Sequence, residues 1–93
     1  MKITIILKAV SDVTNIPESE ITSKSKREDV VRAKRLFVES TKKLGYSTAT
    51  IAEVMHLSVQ AVRNLYATQD LRKLYNIYSQ EIDKIIANAG KLK

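Results

Sequence analysis

Residues 48–67 read TATIAEVMHLSVQAVRNLYA, and two short helical periods meet in this stretch. Apolar or small residues recur at the spacing by which two crossing helices bury a common face. These residues are Ile51, Ala52, Met55, Leu57, Val62 and Leu65. Between the two periods, His56 can adopt the positive φ of a tight turn, and Ser58 suits the N-cap of a second helix. The pattern predicts a helix-turn-helix over residues 48–67.

The second predicted helix leaves a polar face uncovered. In helix-turn-helix proteins the N-terminal part of this helix enters the major groove of DNA. Gln and Asn can pair with adenine, Arg with guanine, and Val can contact a thymine methyl. The candidate base-reading residues are Ser58, Val59, Gln60, Arg63 and Asn64. A helical hairpin of a small bundle would show the same apolar spacing and outward polar residues without binding DNA, and this alternative stays open.

Composition narrows the class of protein. Ninety-three residues are enough for one domain, and a formal net charge of +6 favours polyanionic partners. Half of the basic residues fall between Lys24 and Lys43. The chain has no cysteine, which excludes disulfides and thiolate sites and fits the cytoplasm, and it has no apolar run long enough for a membrane span. One histidine, His56, and scattered acids give no catalytic or metal constellation. We therefore expect no enzyme, cofactor, metal or small-molecule substrate.

The rest of the chain reads as helices. Apolar spacing predicts helices over residues 3–15 and 27–44, a short helix after Pro17, and a last helix over residues 71–89. A short strand at the start of the chain is the alternative for the first. Gly45 and Gly90 are expected to end the two long helices. The chain is thus predicted to be an all-α single domain, 1–93, a bundle of about five to six helices.

The last predicted helix has a seam of apolar residues with alternating spacings of four and three. They are Leu71, Tyr75, Tyr78, Ile82, Ile85 and Ala89. The helix could fold back over the core, or pair with its copy in a homodimer. A competing function uses the same helix: a protein-interaction module in which the basic charge is incidental.

Three stretches carry a resemblance to a known family. They are residues 10–21, with Thr14-Asn15-Ile16-Pro17, the basic residues 23–35, and residues 45–52, which begin Gly-Tyr-Ser. Across about two-thirds of its length the chain resembles the C-terminal, Trp-repressor-like DNA-binding domain of the bacterial replication initiator DnaA. The resemblance implies a cytoplasmic or nucleoid protein that binds double-stranded DNA and regulates transcription or replication.

The resemblance also implies how DNA is held. In the family, the basic loop grips the backbone and minor groove while the helix-turn-helix reads the major groove. The residues that match the family's loop are Lys24, Lys26 and Arg27, and the further candidate backbone contacts are Ser25, Arg32, Arg35 and Thr48. The chain lacks the family's Gly-rich turn with Asp-His-Ser/Thr-Thr before the reading helix, and it lacks the phosphate-binding loop of an ATPase. The resemblance therefore implies the DNA-binding module without origin-box specificity or ATPase activity.

Overall fold

A computed structural model describes the backbone of residues 2–67 and 71–91 and the side chains of residues 2–65 and 80–91. These residues contain six helices and no strand. In chain order they are α1 (Ile3–Thr14), α2 (Glu18–Ile21), α3 (Glu28–Lys43), α4 (Thr48–Met55), α5 (Val59–Ala67) and α6 (Leu71–Lys91). The predicted all-α bundle of five to six helices is confirmed, and the alternative of an N-terminal strand is wrong.

Helix α3 lies at the centre of the bundle and contacts each of the other five helices. Its apolar residues Val30, Ala33 and Phe37 are fully buried, as their helical spacing predicts. Leu44 follows Phe37 by seven residues, a spacing that predicts the same buried face, but it is 39% exposed. It is the C-cap residue, one position beyond the last helical residue, so the periodicity of α3 no longer directs its side chain inward.

The last helix folds back over the core. Helix α6 packs against α1 and α3, and Ile82, Ile85 and Ala89 of its predicted seam are buried within the single chain. The side chains of Leu71, Tyr75 and Tyr78 lie outside the described residues. A homodimer through α6 stays a prediction, and it would have to use other residues than the three buried ones.

Some helix boundaries differ from the predicted ones. Helix α3 covers Glu28–Lys43 where residues 27–44 were predicted, and its N-cap residue, Arg27, makes no side-chain cap. Helix α6 runs through Gly90 to Lys91. Glycine weakens a helix interior by about 1 kcal/mol but ends a helix only where the backbone turns to positive φ. Among the described glycines only Gly45 does so. The sequence also predicts an N-cap of α6 at Thr68 or Asp70, which lies outside the described residues, and frayed residues 91–93, of which Lys91 is instead helical.

The ends of α3 and α4 share one backbone motif. At the end of α3, Gly45 has φ of 93°, and its N–H and that of Tyr46 donate to the carbonyls of Lys42 and Thr41, both at 3.0 Å. At the end of α4, His56 has φ of 57° and takes the place of the glycine. Its N–H donates to the Glu53 carbonyl at 3.3 Å. This is the Schellman arrangement, with a histidine where glycine is usual.

Replacing His56 with Gly is expected to stabilise the protein by about 1 kcal/mol. A left-handed backbone costs a residue with a Cβ roughly 1–2 kcal/mol, and glycine returns part of this through its greater freedom in the unfolded chain. Urea unfolding of His56→Gly measures the change. The control is Glu53→Gly at an exposed position of α4, which should destabilise the protein by about 1 kcal/mol. A destabilised His56→Gly would contradict the assigned turn.

Candidate nucleic-acid interface

Helices α4 and α5 pack against each other and are joined by a turn of three residues, 56–58. Both begin with a serine cap. The Ser47 hydroxyl accepts from the Thr50 N–H at 3.3 Å, and the Ser58 hydroxyl accepts from the Ala61 N–H at 3.0 Å. Val62 is fully buried and fixes the inner face of α5. These features fit the geometry of a helix-turn-helix, which stays an interpretation of this pair of helices.

The outer face of α5 carries the candidate base-reading residues. Gln60, Arg63 and Asn64 are exposed, as are Ser58 and Val59, the latter to 38%. The Gln60 side-chain amide donates to the Asn64 side-chain oxygen at 3.1 Å. This bond holds two amides side by side, one helical turn apart. An exposed row of amides and a guanidinium has the donors and acceptors that base edges require.

The basic loop, residues 22–27, connects α2 with α3, and its serines shape it. The Ser23 hydroxyl donates to the Glu20 carbonyl at 2.6 Å and accepts from the Ser25 N–H at 3.2 Å. The Ser25 hydroxyl accepts from the Arg27 N–H at 3.4 Å. Such local side-chain bonds replace the backbone bonds of regular structure. Ser25 thus stabilises the loop through bonds within it, whereas the side chains of Lys24 and Lys26 are exposed.

Lys34 of α3 holds the basic loop in place by hydrogen bonds to its backbone. It is only 5% exposed, and its ammonium donates to the Ser23 carbonyl and, at 3.1 Å, to the Ser25 carbonyl. Burial lowers the pKa of Lys34, because the charged form loses water. In the sequence, Lys34 counted only as one of the basic residues. The sign of burial in the sequence is that Lys34 lies four positions from both Val30 and Val38 and so shares a helix face with them.

A groove of about 590 Å³ runs between the basic loop and the turn before α5. The loop contributes Lys24, Ser25 and Lys26, and α3 contributes Val31 and Lys34. The opposite wall is formed by His56, Leu57, Ser58, Ala61, Asn64 and Leu65. The structure therefore brings together candidate residues from two segments that are about thirty positions apart in the sequence.

Four other candidate backbone contacts lie outside the groove lining. Arg27 forms ion pairs with Glu20 at 2.7 Å and Asp29 at 3.5 Å, and Arg32 bonds to the Glu81 carboxylate of α6. Thr48 accepts a hydrogen bond from the Lys42 ammonium. Arg35 is half-buried, and its Nε has no hydrogen-bond partner among the described residues. Within the described chain, Lys24 and Lys26 carry the charges that face the groove from the loop.

Helix α3 also contains an acidic side chain in a partly buried environment that disfavours its charged form. Glu39 is half-buried, and its Oε1 has no hydrogen-bond partner in the described residues. Burial raises the pKa of Glu39 because water no longer solvates the carboxylate. The helical spacing of residues 27–44 predicts that Glu39 lies on the face opposite Val30, Ala33 and Phe37. Helix α6 packs against α3, and Lys43, one helical turn beyond Glu39, pairs with Asp83 of α6 at 3.2 Å.

Glu39→Gln is expected to raise the melting temperature at pH 7 and to lose this advantage at about pH 4. A raised pKa in the folded state means that the wild type gains stability as the pH falls, fully so below the ordinary value of 4.5. The glutamine is neutral throughout, so it removes only the cost present at higher pH. Thermal unfolding from pH 4 to 7 measures the difference. A gap that is independent of pH, or one shared by the exposed control Glu53→Gln, would contradict this origin.

The described residues contain neither a membrane-spanning helix nor a cluster of metal ligands. No helix in residues 2–67 and 71–91 is long and apolar enough to cross a membrane. The same part of the chain contains no group of three or more metal-ligating side chains that could hold an ion. No protein-family model, curated protein or solved structure matches the chain.

Proposed function

We propose that the protein binds double-stranded DNA with sequence preference. In this proposal the exposed face of α5 enters the major groove, and the basic loop contacts the phosphate backbone and minor groove. The observation that carries the proposal is the groove that sets Lys24 and Lys26 opposite Ser58 and Asn64 on one surface. This arrangement matches a DNA duplex, in which a phosphate strand separates each major groove from the adjacent minor groove. The lysines could contact that strand while the polar face of α5 lies in the major groove.

The distribution of charge supports the same reading. A net charge of +6 supplies attraction to any duplex, and phosphate contacts set the register of the protein without reading sequence. Reading would fall to Val59, Gln60, Arg63 and Asn64, which are exposed on α5. Arg32 stays a proposed backbone contact, although it would have to leave Glu81 to reach a phosphate.

The biological use proposed here is regulation of transcription or replication in the bacterial cytoplasm or nucleoid. It follows from the resemblance of residues 6–68 to the DNA-binding domain of DnaA. The absence of the family's origin-box signature from residues 55–60 means that the preferred site is expected to differ from the origin box.

The proposal predicts that Arg63→Ala and Lys26→Ala impair DNA binding in different ways. A motif is first selected from a random duplex pool. Arg63→Ala should then lose about 1–3 kcal/mol of discrimination between this motif and random duplex, since it removes a base contact. Lys26→Ala should weaken binding to both and reduce the slope of log K against log salt by about 0.9, since it removes a phosphate contact.

Lys8→Ala is the matched control, because it removes the same charge from an exposed position on α1, outside the groove lining. It should leave the discrimination unchanged and the salt slope almost so. Absence of duplex binding at about 50 mM salt would overturn the proposal. Equal losses of affinity from Arg63→Ala and Lys26→Ala on every sequence would contradict the assignment of Arg63 to base contacts and of Lys26 to phosphate contacts.

A further inference from the structure

The groove between the basic loop and α5 has properties that DNA binding alone does not use. Its volume of about 590 Å³ lies within the range of small-molecule sites, roughly 300–1,000 Å³. Much of its lining is apolar: Val31, Leu57, Ala61 and Leu65. A phosphate strand crossing the groove would meet the lysines but would gain nothing from these side chains. The apolar lining suits a ligand with a hydrocarbon or aromatic body.

The charge of the lining specifies the other end of such a ligand. Lys24, Lys26 and Lys34 face the groove, and no Asp or Glu is among its described lining residues. The Lys34 ammonium has three N–H donors, of which two bond to the Ser23 and Ser25 carbonyls in the described structure. Lys34 is 5% exposed, so an acceptor that reached its third donor would form a hydrogen bond largely shielded from water.

We propose that this groove binds a small organic anion with an apolar body and a single carboxylate or phosphate headgroup. The body packs on Leu57, Ala61 and Leu65, and the headgroup bonds to the lysines. A second consequence rests on the proposed function. Lys24 and Lys26 cannot serve a ligand headgroup and a DNA phosphate together, so the ligand and the duplex compete, each weakening the other by the same factor.

The test uses 1-anilinonaphthalene-8-sulfonate, an aromatic anion whose fluorescence rises in apolar sites, with the neutral N-phenyl-1-naphthylamine beside it. We expect saturation at one anion per chain and about tenfold weaker binding to the Lys24→Ala/Lys26→Ala variant, with the neutral probe changed less than twofold. Octanoate and octyl phosphate should displace the probe, and octanol should not. Displacement by only one of the two anions identifies the headgroup. Equal behaviour of the anionic and neutral probes would overturn the proposal.

The location of the binding site is tested by Ala61→Leu. This substitution fills the groove from α5 and should weaken binding of the anionic probe at least tenfold. Amide chemical-shift mapping of the unaltered protein gives an independent answer. Shifts confined to residues near Val31, Leu57 and Leu65 support the site, and shifts elsewhere or scattered over the core overturn it. Unchanged near-ultraviolet circular dichroism on probe addition is also required, because loosened cores bind this probe too.

Competition is measured by titrating duplex in the presence of the probe at low salt. A rise in the apparent Kd for duplex, matched by displacement of the probe by duplex, supports the coupling. Probe binding with no effect on duplex affinity overturns the coupling and leaves the ligand site in place. Duplex binding without any probe binding overturns the ligand site and leaves the proposed function intact, so the two failures are distinguishable.

Discussion

Phe37→Ala is expected to lower the free energy of unfolding by about 3–5 kcal/mol, the largest effect of any single substitution considered. Phe37 is fully buried and belongs to α3, which contacts all five other helices. Removing the ring loses its transfer free energy and leaves a cavity that the surrounding helices fill only in part. A domain of this size has about 5–14 kcal/mol of stability in total. The substitution should therefore remove at least about a fifth of this stability, and all of it at the lower end of the range.

Urea unfolding followed by circular dichroism measures this effect. Leu44→Ala is the matched control, because Leu44 lies just after the same helix and is 39% exposed. It should change the stability by less than about 1 kcal/mol, since less of its side chain leaves water on folding. If the two substitutions had similar effects, the assignment of α3 as the centre of the core would be wrong.

Lys34→Met is expected to make the basic loop less ordered. On the proposed function, it should weaken duplex binding about 30-fold, although Lys34 itself is not a proposed DNA contact. The substitution keeps the length of the buried stem but removes the ammonium that holds the Ser23 and Ser25 carbonyls. A loop that is no longer held must be ordered when DNA binds. Ordering about two residues costs about 2 kcal/mol, which corresponds to this fold-change.

Amide hydrogen exchange separates the loop effect from general destabilisation. In the variant, the Ser25 and Arg27 amides should exchange at least tenfold faster, while amides in the middle of α3 change less. Lys8→Met serves as the control, because it removes the same charge at an exposed site on α1. Weaker binding with unchanged exchange at Ser25 would show that Lys34 acts through its charge and does not hold the loop.

The sequence was sufficient for much of the fold. Apolar spacing predicted the helices around Ile51, Val62 and Ile82, and all three residues are buried. Gly45 ended α3 as predicted, since positive φ favours glycine there. Gly90 did not end α6, because a glycine can also continue a helix at a small cost. A single sequence contains no information on which of these two conformations a glycine near a helix end adopts.

The errors at the candidate site have a common physical origin. The periodicity of one helix indicates one buried face, but α3 is contacted by five neighbours and buries parts of several faces. Lys34 is therefore buried and Glu39 half-buried, although their residue types are typical of surfaces. The pairing of Arg32 with Glu81 depends on how α3 and α6 cross, which the spacing within either helix does not determine. The resemblance predicted the loop and α5 as partners, but not the apolar groove between them.

The packing of α1 against α6 has a consequence for biosynthesis. About seventy residues separate Val10 of α1 from Ile82 of α6, so the buried residues of α1 leave the ribosome well before those of α6 are made. At about 5–20 residues per second, the nascent chain carries an open apolar surface on α1 for several seconds. We therefore expect chaperones that hold unfolded chains to bind the translating protein until α6 has emerged. Contacts between such distant segments also make folding slower than in a bundle of neighbouring helices.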